Sequence, residues 1–147
     1  MKALAMLLVS AMFSLAALGA DEAGSVKTAR GLVAIERDGK TLPLTVGDKV
    51  FESDRVVTGA DSSVGITLRD NTLLSAGPNS VLSLDRFSFD ATTHAGAVDA
   101  TLKRGTLAVI SGKIAKADSS SVRFRTPTTT LGVRGTEFVI EVAGTEE

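Results

Sequence analysis

The feature that most constrains this chain is its phase: apolar and polar residues alternate with a period of two, in segments closed by a turn before any of them grows long. Val64, Ile66 and Leu68 alternate with Gly65, Thr67 and Arg69, and Val98, Ala100 and Leu102 with Asp99, Thr101 and Lys103. Val122 and Phe124 oppose Arg123 and Arg125, and Phe138, Ile140 and Val142 oppose Glu137 and Glu141. Side chains of a strand point to opposite faces in turn, so each segment predicts a half-buried strand. The turns are Asp38-Gly39, Gly47-Asp48, residues 59–61, Asp70-Asn71, Gly77-Pro78-Asn79 and Gly112. Such residues reach left-handed or tightly bent backbone at low cost. No stretch between them has room for a long helix. Beyond residue 20 the chain holds 14 Val, 16 Thr and 5 Ile, whose branched side chains fit a pleated surface. The expected class is all-β, a sandwich or barrel-like fold of many short strands.

One strand changes phase. Leu82 and Leu84 share a face, whereas Phe87 and Phe89 follow Leu84 by odd steps. If all four serve one core, an extra residue is absorbed near Asp85 and Arg86 as a bulge or corner. Residues 91–96 and the Ser-rich residues 117–121 are expected to be mobile loops.

The N-terminus reads differently. Lys2 precedes an apolar run from Ala3 to Leu18, broken only by Ser10 and Ser14, and then come the small residues Gly19 and Ala20. This is the pattern of a secretory signal peptide over residues 1–20, with cleavage after Gly19 or Ala20. The run falls short of the ~20 apolar residues that span a bilayer, and Asp21 and Glu22 follow it. No transmembrane span is expected after cleavage. Residues 21–147 are read as one domain, and the expected location is periplasmic or secreted. The absence of cysteine removes both a lipid-attachment site and a disulfide framework.

Composition also excludes functions. Beyond residue 20 there is no Trp or Tyr, and the aromatic residues are Phe51, Phe87, Phe89, Phe124 and Phe138. Single strands of nucleic acid are gripped by aromatic stacking over basic grooves, so no nucleic acid is expected as a partner. His94 is the single histidine, in the loop 91–96, with no nucleophile pattern of the Gly-x-Ser-x-Gly kind to accompany it. No catalytic residue, cofactor or metal is assigned. Asp61, Asp70, Asp85, Asp90 and Asp99 lack calcium-loop spacing and read as turn residues bonding their own backbone.

Read in order, the turns and strands resemble the FecR domain family. The resemblance runs through Ala23-Gly24-Ser25-Val26, Val46-Gly47-Asp48-Lys49-Val50, residues 53–59, Asp61-Ser62-Ser63, Asp70-Asn71-Thr72 and Gly77-Pro78-Asn79-Ser80. It continues through Val109-Ile110-Ser111-Gly112 and Thr126-Pro127 to Leu131-Gly132-Val133-Arg134-Gly135-Thr136-Glu137-Phe138, the most specific piece. The family usually has Gly where Asn71 stands; Asn tolerates left-handed backbone, so the turn survives. The resemblance implies a jelly-roll-like β-sandwich of short antiparallel strands that mediates interactions in the cell envelope. The family's iron-signalling regulators also carry a cytoplasmic region, a transmembrane helix and a further periplasmic segment. These are not seen in this sequence, so the expectation is limited to the domain as an exported module.

Within that signature Gly132, Arg134, Gly135 and Thr136 are expected to be structural, with the Arg134 guanidinium paired to Asp54 or Asp61. A separate signal is charge: residues 101–136 hold Lys103, Arg104, Lys113, Lys116, Arg123, Arg125 and Arg134 against the single acid Asp118. Either these lie beside acidic strand faces that solvate them, or they form a cationic face for an acidic protein or an envelope polyanion. The expected function is a non-catalytic interaction module binding a partner protein or envelope component. Glycan or peptidoglycan binding is the alternative, disfavoured by the lack of Trp and Tyr platforms.

Overall fold

The computed structural model describes residues 22–133 and 136–143. The signal-like N-terminus lies outside them, as do Arg134 and Gly135. No helix among the described residues is long and apolar enough to cross a membrane.

Twelve strands form one curled sheet. In chain order they are β1 (Glu22–Arg30), β2 (Val33–Arg37), β3 (Lys40–Pro43), β4 (Lys49–Phe51), β5 (Arg55–Thr58) and β6 (Ser63–Leu68). Then follow β7 (Leu73–Ala76), β8 (Val81–Phe89), β9 (Gly96–Ile110), β10 (Val122–Arg125), β11 (Thr130–Gly132) and β12 (Glu137–Val142). A one-turn helix, α1 (Lys113–Ala117), and a 3-10 turn at Ser119–Ser121 stand between β9 and β10. The all-β expectation holds.

The sheet has two halves joined through β9. In the first, the order is β4-β1-β6-β7, then the later part of β9, then β12. In the second, it is β3-β2-β5-β8, then the earlier part of β9, then β10 and β11. The passage between halves falls at Lys103 to Gly105. Val81 pairs with Arg104 and Leu82 with Leu102, leaving Lys103 as an extra residue. Gly105 has φ +94, and a Cβ there would meet the Cα of Ser80 at 2.5 Å. A bulge followed by a residue that only glycine can occupy is how one long strand turns a corner and serves two sheets.

The phase change in β8 is also observed. Leu84 pairs with Ala100 and Arg86 with Asp99, so Asp85 is the extra residue. Beyond it Phe87 returns to the face shared by Leu82 and Leu84, and all three are buried. The inward residues of both halves make one core, from Val26, Ile66 and Leu74 in the first half to Ile35, Val56, Leu102 and Phe124 in the second.

β10 runs parallel to β9 and all other pairings are antiparallel. A parallel neighbour needs a crossover, and α1 with the 3-10 turn supplies it. The two ends of β9 converge on this helix. The Lys113 N–H bonds the Asp70 carbonyl at 2.8 Å, and Ile114, fully buried, lies against Gly96.

Both segments expected to be mobile loops carry internal hydrogen bonds. Asp90 accepts from the Thr92 and Thr93 N–H groups, and the His94 ring stacks on Phe89 at 6.0 Å. Asp118 caps the 3-10 turn by accepting from the Ser120 N–H and from the Ser120 and Ser121 hydroxyls. Each carboxylate stands where its own next residues offer donors, as expected for Asp90 from its sequence, whereas Asp118 was not singled out in this role.

Candidate interaction surfaces

Among the polar residues in and beside the turns, Asp54, Ser62, Asp70, Thr72 and Ser80 are buried, and each holds a corner or turn of the fold. Asp70, fully buried, accepts from the Thr72 N–H and hydroxyl and from the Ile114 N–H. Asn71 beside it has φ +69, the left-handed geometry expected for the residue standing where Gly is usual. The Ser62 hydroxyl receives the Leu32 N–H at 2.8 Å, and Ser80 receives the Thr106 N–H at 3.0 Å beside the Gly105 corner.

Asp54 is the most heavily engaged. It is 1% exposed, and its carboxylate forms a two-point pair with Arg37, at 2.8 Å to Nε and 2.6 Å to Nη2, while also accepting from the Phe51 N–H. Arg37 lies over the Phe51 ring at 4.8 Å, and its pKa is raised above the ordinary guanidinium value chiefly by the hydrogen bond to Asp54. The expected partner for Asp54 was Arg134. The guanidinium that takes it is Arg37, because β2 and β5 are neighbours and bring residues 37 and 54 together. Asp61, the other carboxylate considered, is an exposed turn residue with φ +54.

Of the signature residues, Arg134 and Gly135 lie outside the described residues. Gly132 lies in β11 opposite Arg123, with open space where a Cβ would sit, so its own geometry does not demand glycine. The Thr136 carbonyl accepts from the Ser111 N–H at 2.7 Å and leads into β12.

Of the seven cations, the six within the described residues do not share one plane. Lys103, Arg123 and Arg125 point outward from the second half, on the face opposite Ala100, Leu102, Val122 and Phe124. Arg104 sits at the corner bulge, beside a shallow pocket lined by Leu32, Ala34, Pro43 and Val57. Lys113 and Lys116 stand on α1 at one end of the sandwich. All six are exposed, and among the described residues none forms an ion pair. Acids do interleave with part of this face. Asp99 stands in register between Arg86 and Arg123, Asp85 accepts from the Thr101 hydroxyl, and Glu36 lies 3.6 Å from Arg55. Lys103 and Arg125 have no such neighbour in register: Arg125 lies between Thr101 and Thr130.

Asp61, Asp70, Asp85, Asp90 and Asp99 occupy separate turns and strands, and among the described residues no three His, Asp or Glu side chains gather in a metal-binding set.

A family model, described as FecR protein, matches residues 54–147. The chain belongs to the FecR family. No curated protein matches it, and no solved structure does either. FecR domains serve as signalling or interaction modules and occur in envelope-associated proteins. The FecR sandwich here also uses residues ahead of the matched span, since β1 pairs with β6 and β2 with β5. The residues that carry the FecR resemblance, Asp54, Ser62, Asp70, Thr72 and Ser80, are spent on corners and turns. These buried polar groups support the fold.

Proposed function

We propose that this FecR protein is an exported, non-catalytic interaction module of the cell envelope, periplasmic or secreted. It binds a partner protein or an envelope component through the outer face of the second half. The observation that supports this reading is the exposed set Lys103, Arg123 and Arg125, which stands outward on one sheet face with no ion pair among the described residues. Cations at 4 Å from an acidic group in a partly excluded interface interact several-fold more strongly than in bulk water, so a partner bearing carboxylates, sulfates or phosphates gains most from this face.

Capture from envelope extract on immobilised protein tests it. Arg123→Glu with Arg125→Glu should cut capture by about tenfold and flatten its salt dependence. Undiminished capture would return both arginines to a solvated strand face. Export is tested by intact mass: protein recovered from the periplasm should lack about the first 20 residues, and a full-length chain in the inner membrane would contradict the reading.

A further inference from the structure

Strand β12 closes one side of the first half and keeps a single register with β9, from Glu137 opposite Ile110 to Val142 opposite Gly105. The bond from the Ser111 N–H to the Thr136 carbonyl continues that register. In an antiparallel ladder, pairs that exchange hydrogen bonds alternate with pairs that do not. Phe138, Ile140 and Val142 therefore turn their backbone groups toward β9, and Glu137, Val139 and Glu141 turn theirs away. The opposite side of β9 obeys the same alternation, for the Gly77 N–H reaches the Thr106 carbonyl at 3.1 Å in the register of β7. Among the described residues β12 pairs with no strand but β9, so its outward N–H and C=O groups form an open edge.

A groove of about 530 Å³ runs beside that edge, lined by Pro127, Leu131, Val139 and Val142 together with Lys103 and Glu141. Here the last strands of the two halves, β11 and β12, approach without pairing. On the outer face Glu137, Val139 and Glu141 form a row, with Val139 70% exposed and both glutamates exposed.

That row decides what can be added. Directly opposed residues on neighbouring strands bring their Cβ atoms within about 5 Å, and like charges there are destabilising. A second copy pairing antiparallel through Val139 would set Glu137 against Glu141 twice. Charged side chains on an edge strand are a known means of blocking such self-pairing. A strand with Lys or Arg two residues either side of an apolar residue is complementary instead, and its alternate side chains would face the groove.

The geometry points to β12 as an acceptor for an extended segment of a partner protein, added as a further strand and selected for the order basic-x-apolar-x-basic with apolar residues at the intervening positions. This surface borders the cationic face of the second half, sharing Lys103 with it, but uses neither Arg123 nor Arg125.

The probe is a labelled, end-capped peptide Thr-Lys-Ile-Val-Ile-Lys-Thr, compared with the same peptide carrying Glu for Lys, in fluorescence anisotropy with the exported protein. The Lys peptide should bind about tenfold or more tightly than the Glu peptide, with a preference that salt weakens. Glu137→Lys with Glu141→Lys should invert that order. Val139→Pro removes one outward N–H from an edge strand, a place where proline is tolerated, so the variant should keep its melting behaviour and lose about tenfold or more in peptide affinity. Bound peptide should slow amide exchange at Glu137, Val139 and Glu141 but not at Phe138 or Ile140. Arg123→Glu with Arg125→Glu should leave peptide binding unchanged, which separates failure here from failure of the cationic face. Equal affinity for the two peptides, no binding by the unaltered protein, undiminished binding by Val139→Pro, or a dimer that Val139→Pro abolishes would each overturn the inference.

Discussion

The two outer faces of this sandwich are built from the same alternation and arrive at opposite chemistry. On the first half, the central strands β6 and β7 and the later part of β9 turn outward the half-buried Ser63, Gly65, Thr67, Thr106 and Ala108 and the exposed Leu73, Ser75 and Ile110, with no charge among them. Its charge lies outside these strands, at Glu22, Lys27 and Arg30 of β1 and Lys49 of β4 on one side and at Glu137 and Glu141 on the other. On the second half, β5, β8, β9 and β10 expose Arg55, Asp85, Arg86, Asp99, Lys103, Arg123 and Arg125. The inward sets of both halves are mixtures of Val, Leu, Ile and Ala, joined in the second half by Phe87 and Phe124. The core therefore dictates a sandwich, and the outward positions, which stability leaves nearly free, are where the two halves differ.

The sharpest way to break the comparison is to part the halves at their joint. Gly105→Ala adds a Cβ 2.5 Å from the Ser80 Cα at a φ of +94. Backbone strain of ~1–3 kcal/mol and overpacking of ~1–3 kcal/mol together predict a loss of roughly 2–6 kcal/mol, a fall of about 5–30 °C in melting temperature. Because one strand and one core serve both halves, calorimetry should still show a single transition. Two transitions would mean the halves fold as separate units. Next in size is the second joint, where Arg37 of β2 reaches Asp54 and, through the Lys49 carbonyl and the Phe51 ring, strand β4 of the first half. Arg37→Ala leaves a buried carboxylate with the Phe51 N–H as its remaining donor. A loss of about 3 kcal/mol is expected, discounted from the range for fully buried pairs because Arg37 is 31% exposed. Arg37→Lys should recover little, since a point charge cannot reproduce the two-point fork, and denaturant unfolding of both variants measures the difference.

What the sequence made legible follows this division between local and distant causes. Alternation is a local property, so the strands around Ile66, Ala100, Phe124 and Ile140 could be read directly, and so could the bulge at Asp85, whose trace is a broken phase in the sequence itself. The left-handed Asn71 was equally readable. The Arg37 pairing was not: residues 37 and 54 meet only because β2 and β5 are neighbours, and nothing in either segment announces the other. The same holds for β10, whose parallel placement depends on a one-turn helix too short to leave a periodic pattern. A charge count found seven cations, but sharing a stretch of chain is no guarantee of sharing a face, and the corner at Gly105 and the crossover through α1 scatter the six within the described residues.

A third prediction sharpens the contrast between the faces with little effect on stability. Charge is introduced symmetrically, as Arg123→Glu with Arg125→Glu on the second half and as Thr67→Glu with Ser75→Glu on the first. Exposed substitutions without buried partners shift stability by about 0.5 kcal/mol or less each, so both double variants should melt close to the parent. Capture from envelope extract should fall about tenfold for the arginine variant and remain unchanged for the other. Equal losses would mean that recognition does not discriminate the two faces.

The smallest effect expected is on the two capped turns of the second half, and its sign follows from the acids that hold them. Hydrogen bonds from the Thr92 and Thr93 N–H groups lower the Asp90 pKa, and those from the Ser120 hydroxyl, the Ser120 N–H and the Ser121 hydroxyl lower that of Asp118. A carboxylate held below its unfolded value stabilises its turn above that value, and the contribution is lost as pH falls through the depressed folded value. Both turns should therefore keep their geometry at neutral pH and loosen only below about pH 4, the ordinary aspartate range. Both carboxylates are solvent-exposed, so the change should stay local. Amide shifts of Thr92, Thr93 and Ser120 should move with their carboxylates during acid titration, while those of Ile66 and Val109 in the first half stay in place. If the core amides moved at the same midpoint, the turns would not be separately held, and acid would be opening the sandwich as a whole.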